Sequence, residues 1–302
     1  MLGFLLRRLL LAALLVFGVA SASFVLMHLA PGDVVTESGP DLHPDQAQAE
    51  RRALGLDRPL QTQYAEWIQR ALRLDFGTSL KYRRPVSDLV GARALNTALL
   101  GATALLIATL VGLPLGVVTG SQRGGVLRTI VRGLSSLLVA TPPLVATVAL
   151  TAIAARNRWL PPPGAGISNL IVPALALALP IAGVLERLQS QAVREAMEER
   201  CVVAARARGV PQPALVWKHA LRPSLGPVLA VYGIVAGSLL SGSFIVEIIT
   251  DWPGLGLLIA DGMRARDLYL VAGCAAVGAT LLASTILVCD LLHIWLDPRL
   301  RE

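Results

Sequence analysis

Six apolar windows, at 9–29, 95–120, 133–155, 170–185, 225–246 and 268–289, constrain this chain more than any other feature. About 20 apolar residues are needed to cross a hydrocarbon core of roughly 30 Å. Inside that core every backbone N–H and C=O must find a partner within the protein, and windows of this length do so as helices. The fourth window is short and carries Pro173 and Pro180. It is expected to pack inside the bundle, where neighbouring helices satisfy the carbonyls that proline frees. A composition of 54% hydrophobic and 16% charged residues agrees with a polytopic membrane protein. The expected architecture is an all-α integral membrane domain over 1–302 with six transmembrane helices. Its parts are a stub and first span (1–30), a long loop (31–93), a five-helix core (94–292) and a tail (293–302).

Arg7 and Arg8 precede the first window as they would in a signal peptide, but the apolar run is longer than the roughly 7–15 residues of a cleaved h-region. A retained anchor is expected. Basic residues then orient the spans. Arg7, Arg8, Arg123, Arg128, Arg132, Arg299, Arg301 and seven residues of the 187–227 segment fall on one side, whereas the other side's short loops carry Arg156, Arg158, Arg264 and Arg266. The positive-inside rule places both termini and the 187–227 segment in the cytoplasm and the 31–93 loop outside. The net charge of +7 follows from this topology and from anionic lipid, without nucleic acid.

The 187–227 segment is a polar handle between two spans. Residues 189–208 contain no glycine or proline, so a helix is expected to continue out of the fourth span. Gly209 supplies a stop and Pro211 bars immediate continuation. A second short helix, 213–221, would carry Leu215, Val216, Trp217 and His219 and end before Pro223. In the 31–93 loop, Leu60, Tyr64, Trp67, Ile68, Ala71 and Leu72 recur at helical spacing, giving an apolar face that packs on the outer bundle or meets an external protein. The last outer loop, 247–267, is half apolar and could re-enter the membrane.

Several functions are excluded. A P-loop needs a lysine after a glycine-rich turn, yet the lysines are Lys81 after Leu80 and Lys218 after Trp217. Ser238, Ser241 and Ser243 lie on the fifth span, but His28, His43, His219 and His293 are all away from mid-membrane depth, so no base is available to activate a serine. Those small residues would pack helices or line a polar path. Glu186, Glu247 and Asp290 fall at window ends, where snorkelling or pairing with Arg187 would hold them. With no ionisable group at a span centre, a proton-coupled carrier is disfavoured. Cys201, Cys274 and Cys289 lack metal-ligand spacing and are expected to be packing residues.

Ala204-Ala205-Arg206-Ala207-Arg208-Gly209, followed by His219-Ala220-Leu221-Arg222 and Pro227, resembles the signature loop of binding-protein-dependent ABC importer permeases of the dipeptide, oligopeptide and nickel family. Further matching motifs are Ala30-Pro31-Gly32-Asp33, Leu54-Gly55-Leu56-Asp57, Asp75-Phe76-Gly77-Thr78-Ser79, Leu113-Pro114-Leu115-Gly116, Pro253-Gly254-Leu255-Gly256 and Leu296-Asp297-Pro298-Arg299. Two positions depart: Val203 stands where the general signature has glutamate, and the later proline falls one residue late, at Pro223. The resemblance implies a type I importer permease in a bacterial inner membrane, half of a heterodimeric pore. It also implies a second permease, two cytoplasmic ATPase subunits that hold ATP and magnesium, and an extracytoplasmic solute-binding protein. The chain itself would be no enzyme and would bind no cofactor. On this reading Ala204, Ala205, Arg206, Arg208, Gly209, Leu215 and His219 form the ATPase-coupling site. Small residues there admit a partner surface, and the arginines bond acidic groups. Asn96, Thr97, Ser238 and Ser241 are candidates for the translocation path. Peptide is the expected solute, with a nickel chelate or glutathione as alternatives; a freestanding channel, a secondary carrier or a membrane scaffold would have to work without the implied ATPase.

Overall fold

The computed structural model describes residues 2–38, 43–122, 124–158 and 166–296, so Arg123, Asp297, Pro298, Arg299 and Arg301 lie outside the described residues. Five helices among these are long and apolar enough to cross a membrane: α1 (Leu2–Leu29), α5 (Val86–Ser121), α8 (Ile167–Ala196), α12 (Tyr232–Thr250) and α14 (Leu268–Leu296). A sixth span forms only if α6 (Val126–Ala140) and α7 (Pro143–Arg156) are taken together, and these are bent by 105°. The window expected as one straight span over 133–155 thus straddles a break at Thr141–Pro142. Pro142 and Pro143 lack the N–H groups that would continue α6, and Thr141 is driven to extended backbone as the residue before a proline. The fifth window is also broken. Its first residues belong to α11 (Leu221–Leu229), and α12 starts afresh at Tyr232. Pro173 and Pro180, by contrast, lie inside a continuous α8.

The chain divides into two compact units, residues 1–97 with 253–283 and residues 98–252 with 284–302. In the first, α2 (Val34–Ser38), α3 (Pro44–Ala53) and α4 (Leu60–Ala71) build the long loop. The α4 face meets α1 and α14: Trp67 and Phe24 are buried with Leu268, Ala272 and Ala276, while Tyr64 and Ile68 pack around them. Phe24 lies 5.2 Å from the Trp67 ring and 5.6 Å from that of Tyr64, whose hydroxyl bonds Ser21 Oγ at 2.6 Å. The bundle therefore accounts for the apolar face, except that Leu72 is 81% exposed and drops out of it. A second anchor is Asp267, fully buried, whose carboxylate accepts bonds from the Ser79 hydroxyl (2.6 Å) and the Lys81 and Leu270 amides. The region expected to re-enter the membrane contains α13 (Leu255–Arg264), which buries Leu255, Gly256, Leu258 and Gly262.

The second unit is organised on the contact between α5 and α8. Gly112, Gly116 and Gly120 recur every fourth residue on α5, and a Cβ at these positions would lie 2.7 Å from Ala182 O, 2.6 Å from Gln189 Cβ and 2.5 Å from Ser190 O. Only glycine permits that approach, as in membrane helix pairs joined through small residues. The closeness buries Glu186, whose Oε1 accepts the Thr119 hydroxyl at 2.5 Å. Glu186 is thus neither snorkelling nor paired with Arg187, which bonds Ser136 Oγ on α6 at 2.8 Å. Neighbouring helix positions diverge by about 100°, so one faces α5 and the other α6. Glu247 is buried as well, three residues before the end of α12. Of the cysteines, Cys274 is buried and Cys289 half-buried, but Cys201 is exposed, with its Sγ 3.6 Å from Glu199 Oε2.

Two consequences are measurable. Truncating Trp67 to alanine removes the largest ring of the aromatic cluster centred on Phe24, and a loss of about 3–5 kcal/mol is expected; thermal unfolding of the detergent-solubilised chain should show it, with Phe24→Ala behaving non-additively beside it. At the start of the long loop, Asp33 accepts Arg51 Nε at 2.6 Å and the Thr36 amide at 2.9 Å. Partial burial alone would raise its pKa, but the bonds from Arg51 and Thr36 outweigh it and hold the carboxyl at about 2, below the ordinary 3.8. A depressed pKa stabilises above the unfolded value, so the α2–α3 contact should be intact above 3.8 and loosen as pH falls toward 2. Hydrogen exchange across 33–53 should follow that window in the wild type and lose it in Asp33→Asn.

Candidate functional site

The helix expected to run unbroken over 189–208 is split into the end of α8 and a short separate helix. α8 stops at Ala196, and α9 (Arg200–Ala207) begins after a turn capped by Glu199 in extended backbone. The chain reverses at Gly209, with φ +82°: the Gly209 amide bonds Arg206 O at 3.0 Å and the Val210 amide bonds Ala205 O at 3.3 Å. This paired closure needs a left-handed residue, which glycine supplies without a Cβ penalty. α10 (Gln212–Ala214) then leads into a π-helical segment, Leu215–Ala220, and on into α11. Pro223 does not end the helix as the sequence suggests. It sits in the first turn of α11, and the wider π turn before it relieves the clash between its ring and the carbonyl four residues back.

An apolar cluster welds these pieces to α5 and α8. Val117, Val193, Ala196 and Met197 pack with Val202, Ala205, Leu215, Val216 and Ala220. Two of the expected coupling residues, Ala205 and Leu215, are thus inside the cluster and hold the loop's shape. Ala204, Arg208 and Gly209 are exposed, and His219 is half-buried. Arg206, two positions from Arg208, points to another side of α9. It is half-buried, its Nε has no partner among the described residues, and it lines a cavity of about 220 Å³ with Arg128, Arg194 and Gln212. The outward surface also carries Val203 at 48% and Trp217 at 58% exposure. Neither was picked out for contact from sequence; the signal was a large apolar side chain in an otherwise polar handle.

Buried polar bonds join the loop to the spans. Gln189 Nε2 on α8 donates to Ser224 Oγ on α11 at 2.9 Å, and the Ser224 hydroxyl donates to Leu221 O at 2.8 Å. One turn before Gln189 is the Glu186–Thr119 bond to α5. The α10–α11 segment is thus joined to α8 through packed side chains and hydrogen bonds.

The four path candidates separate. Asn96 Nδ2 donates to Pro253 O at 2.8 Å, and Thr97 Oγ1, itself buried, accepts the Leu255 amide at 2.8 Å. Both therefore brace the turn into α13. Ser238 and Ser241 are exposed, and Ile234, Ile245 and Ile248 continue the same exposed stripe of α12. Ala236, Gly242 and Ser243 lie on the packed side, where a Cβ at Gly242 would meet Leu177 at 3.3 Å.

Comparison with known proteins places this architecture. Residues 112–302 match the family described as binding-protein-dependent transport system inner membrane component, and residues 1–93 match the N-terminal membrane component of the same systems. The dipeptide transport system permease protein of Lactococcus lactis subsp. cremoris is 33% identical over 304 residues, covering 100% of both chains. The oligopeptide transport system permease protein of Bacillus subtilis is 30% identical over 317 residues, 99% of each chain. The glutathione transport system permease protein of Salmonella choleraesuis is 32% identical over 304 residues, covering 100% of this chain and 99% of that one. Full-length kinship, an all-helical membrane architecture and a handle welded to the spans lead to one conclusion: the chain belongs to the binding-protein-dependent inner-membrane components, as a multi-pass permease subunit with the type I ABC importer fold whose ATP hydrolysis is done by separate subunits.

Proposed function

We propose that this chain is the first of two related permease subunits in an importer of di- or oligopeptides, and that residues 187–227 are its coupling site for two cytoplasmic ATPase subunits. The observation that carries the coupling role is the handle itself, anchored by Ala205 and Leu215 while Ala204, Arg208 and Gly209 stand exposed. Small side chains at Ala204 and Gly209 admit a partner's surface, Val203 and Trp217 add apolar contact, and Arg208 can bond an acidic group. His219 stands at the edge of this surface, and Arg206 supports it from behind. ATP and magnesium belong to the partner subunits, and the chain holds no cofactor of its own. Peptide is chosen because two of the full-length relatives are named for dipeptide and oligopeptide transport. The glutathione permease is itself named for a short peptide-like solute, which makes glutathione the alternative to test.

Closure of the ATPase pair would push on α9 and α10, and the Gln189–Ser224 bond would carry the motion into α8. Only contacts that differ between the two states can drive such a switch. The Ser238–Ser241 stripe would line the path, while Asn96 and Thr97 would shape its outer part through the turn they brace. An extracytoplasmic binding protein would deliver the solute to the side of the 31–93 loop, with both termini in the cytoplasm.

Uptake of a labelled dipeptide by cells expressing the whole transporter, with unlabelled glutathione as competitor, tests the solute; competition by glutathione and not by dipeptides would reassign it. Gly209→Arg should abolish uptake with the chain still in the membrane. The space around Gly209 is open, so the defect arises from its positive φ, worth about 1–2 kcal/mol for an L side chain, and from the bulk offered to the partner. Gly209→Asn, which tolerates that backbone, should retain most uptake. Orientation can be read with exposed Cys201. A membrane-impermeant maleimide should label it only after permeabilisation, and labelling in intact cells would reverse the topology.

A further inference from the structure

Between the first turns of α6 and the later half of α8 lies a cleft of about 570 Å³ into which Arg128, Arg132 and Arg187 converge beside Thr129 and Ser136. Its depth comes from a close helix contact: a Cβ at Gly183 would stand 2.9 Å from Ser135 O and 3.3 Å from Leu138 Cβ. One turn further along α8, Arg187 crosses to α6 and donates to Ser136 Oγ. Arg128 gives one Nη to Gln122 O at 3.1 Å, while its Nε is buried without a partner among the described residues. Among the described residues no acidic side chain lines the cleft, and none of the three arginines is ion-paired. The N-terminus of α6 opens at the same place; Gly125 gives it no side-chain cap and its first turn holds no acidic residue. Three cations and the positive end of a helix dipole thus share one cavity with no acidic side chain from the described residues.

We propose that this cleft binds the phosphate of an anionic phospholipid. Charge complementarity calls for an anion, and the fork geometry of arginine suits phosphate oxygens. The neighbouring surface selects a lipid over a free anion. Ile130 and Leu137, 61% and 64% exposed, stand three and four residues from Gly133 on α6 and so border the cleft at its rim. That apolar rim offers an acyl chain a contact next to its headgroup, something a soluble phosphate could not use. Basic pockets between membrane helices at the cytoplasmic surface hold acidic headgroups in this way. Because Arg187 directly follows Glu186 and stands two residues before Gln189 on α8, the bound headgroup would tie α6 to the helix that carries the coupling contacts.

The transporter complex, extracted from its own membrane in mild detergent, can be titrated with phosphatidylglycerol and with phosphatidylcholine, and bound lipid counted by native mass spectrometry. Wild type should retain phosphatidylglycerol selectively. Arg132→Gln with Arg187→Gln should weaken that retention by about tenfold or more, since each basic residue near the surface is worth roughly a fivefold factor. Unchanged phosphatidylcholine binding in this variant shows that the fold has survived, and Arg132→Lys with Arg187→Lys should keep most of the selectivity. Equal phosphatidylglycerol retention by wild type and the glutamine variant overturns the proposal. So does displacement of the lipid by inorganic phosphate, which would make the cleft a soluble-anion site. Selective retention only after the partner subunits are removed would assign the cleft to an acidic protein segment and also overturn it.

Discussion

The near-contact of α5 with the backbone of α8 governs the second unit. Gly112, Gly116 and Gly120 leave no room for a methyl group against Ala182, Gln189 and Ser190. In a lipid solvent the hydrophobic effect gives helices little reason to associate, so close dispersion contact and buried hydrogen bonds do much of that work. The glycine stripe supplies the first and, by drawing the helices together, creates the second, because Thr119 then reaches Glu186. That bond satisfies one oxygen of the buried Glu186 side chain, while the other has no partner among the described residues.

From that contact the handle inherits its position. α8 extends past the glycine stripe to Ala196, and Val193, Ala196 and Met197 continue its α5-facing side into the cluster that receives Val202, Ala205 and Leu215. The loop is therefore a packed extension of the helix pair. Its outward surface is small, with Ala204, Arg208 and Gly209 exposed beside Val203 and Trp217. The motif is thus divided, with Ala205 and Leu215 inside the cluster and Ala204, Arg208 and Gly209 at the surface. α6 uses a different solution, approaching α8 at Gly183 and bending into α7 after Thr141. The bend comes from the Pro142–Pro143 pair and leaves the arginine-bearing first half of α6 beside α8.

Much of the candidate site could be read in the residues. The stop at Gly209 and the start of a new helical segment after Pro211 follow from local backbone chemistry, and both are present, as is the amphipathic α4 with Trp67 buried. Where local rules misled, a neighbouring constraint prevailed. Pro223 did not end its helix because a π turn preceded it. Residues 197–199 broke a run that lacked glycine and proline, so no propensity signal marked them. The spacing of Gly112, Gly116 and Gly120 was visible, yet its partner on α8 was not.

Length and composition of the apolar windows, their flanking arginines and the glycine and proline positions determine a polytopic helical chain with a polar handle, because bilayer thickness and backbone hydrogen bonding act on each segment separately. Which face of each span is buried was decided only by the tertiary structure. A lipid tail is as apolar as a leucine side chain, so a span shows little amphipathic signal to separate a lipid-facing residue from one packed against protein. For that reason the inward turn of Glu186, the exposed line of Ser238 and Ser241, and the convergence of Arg128, Arg132 and Arg187 on one cleft emerge only when helices distant in sequence are brought together.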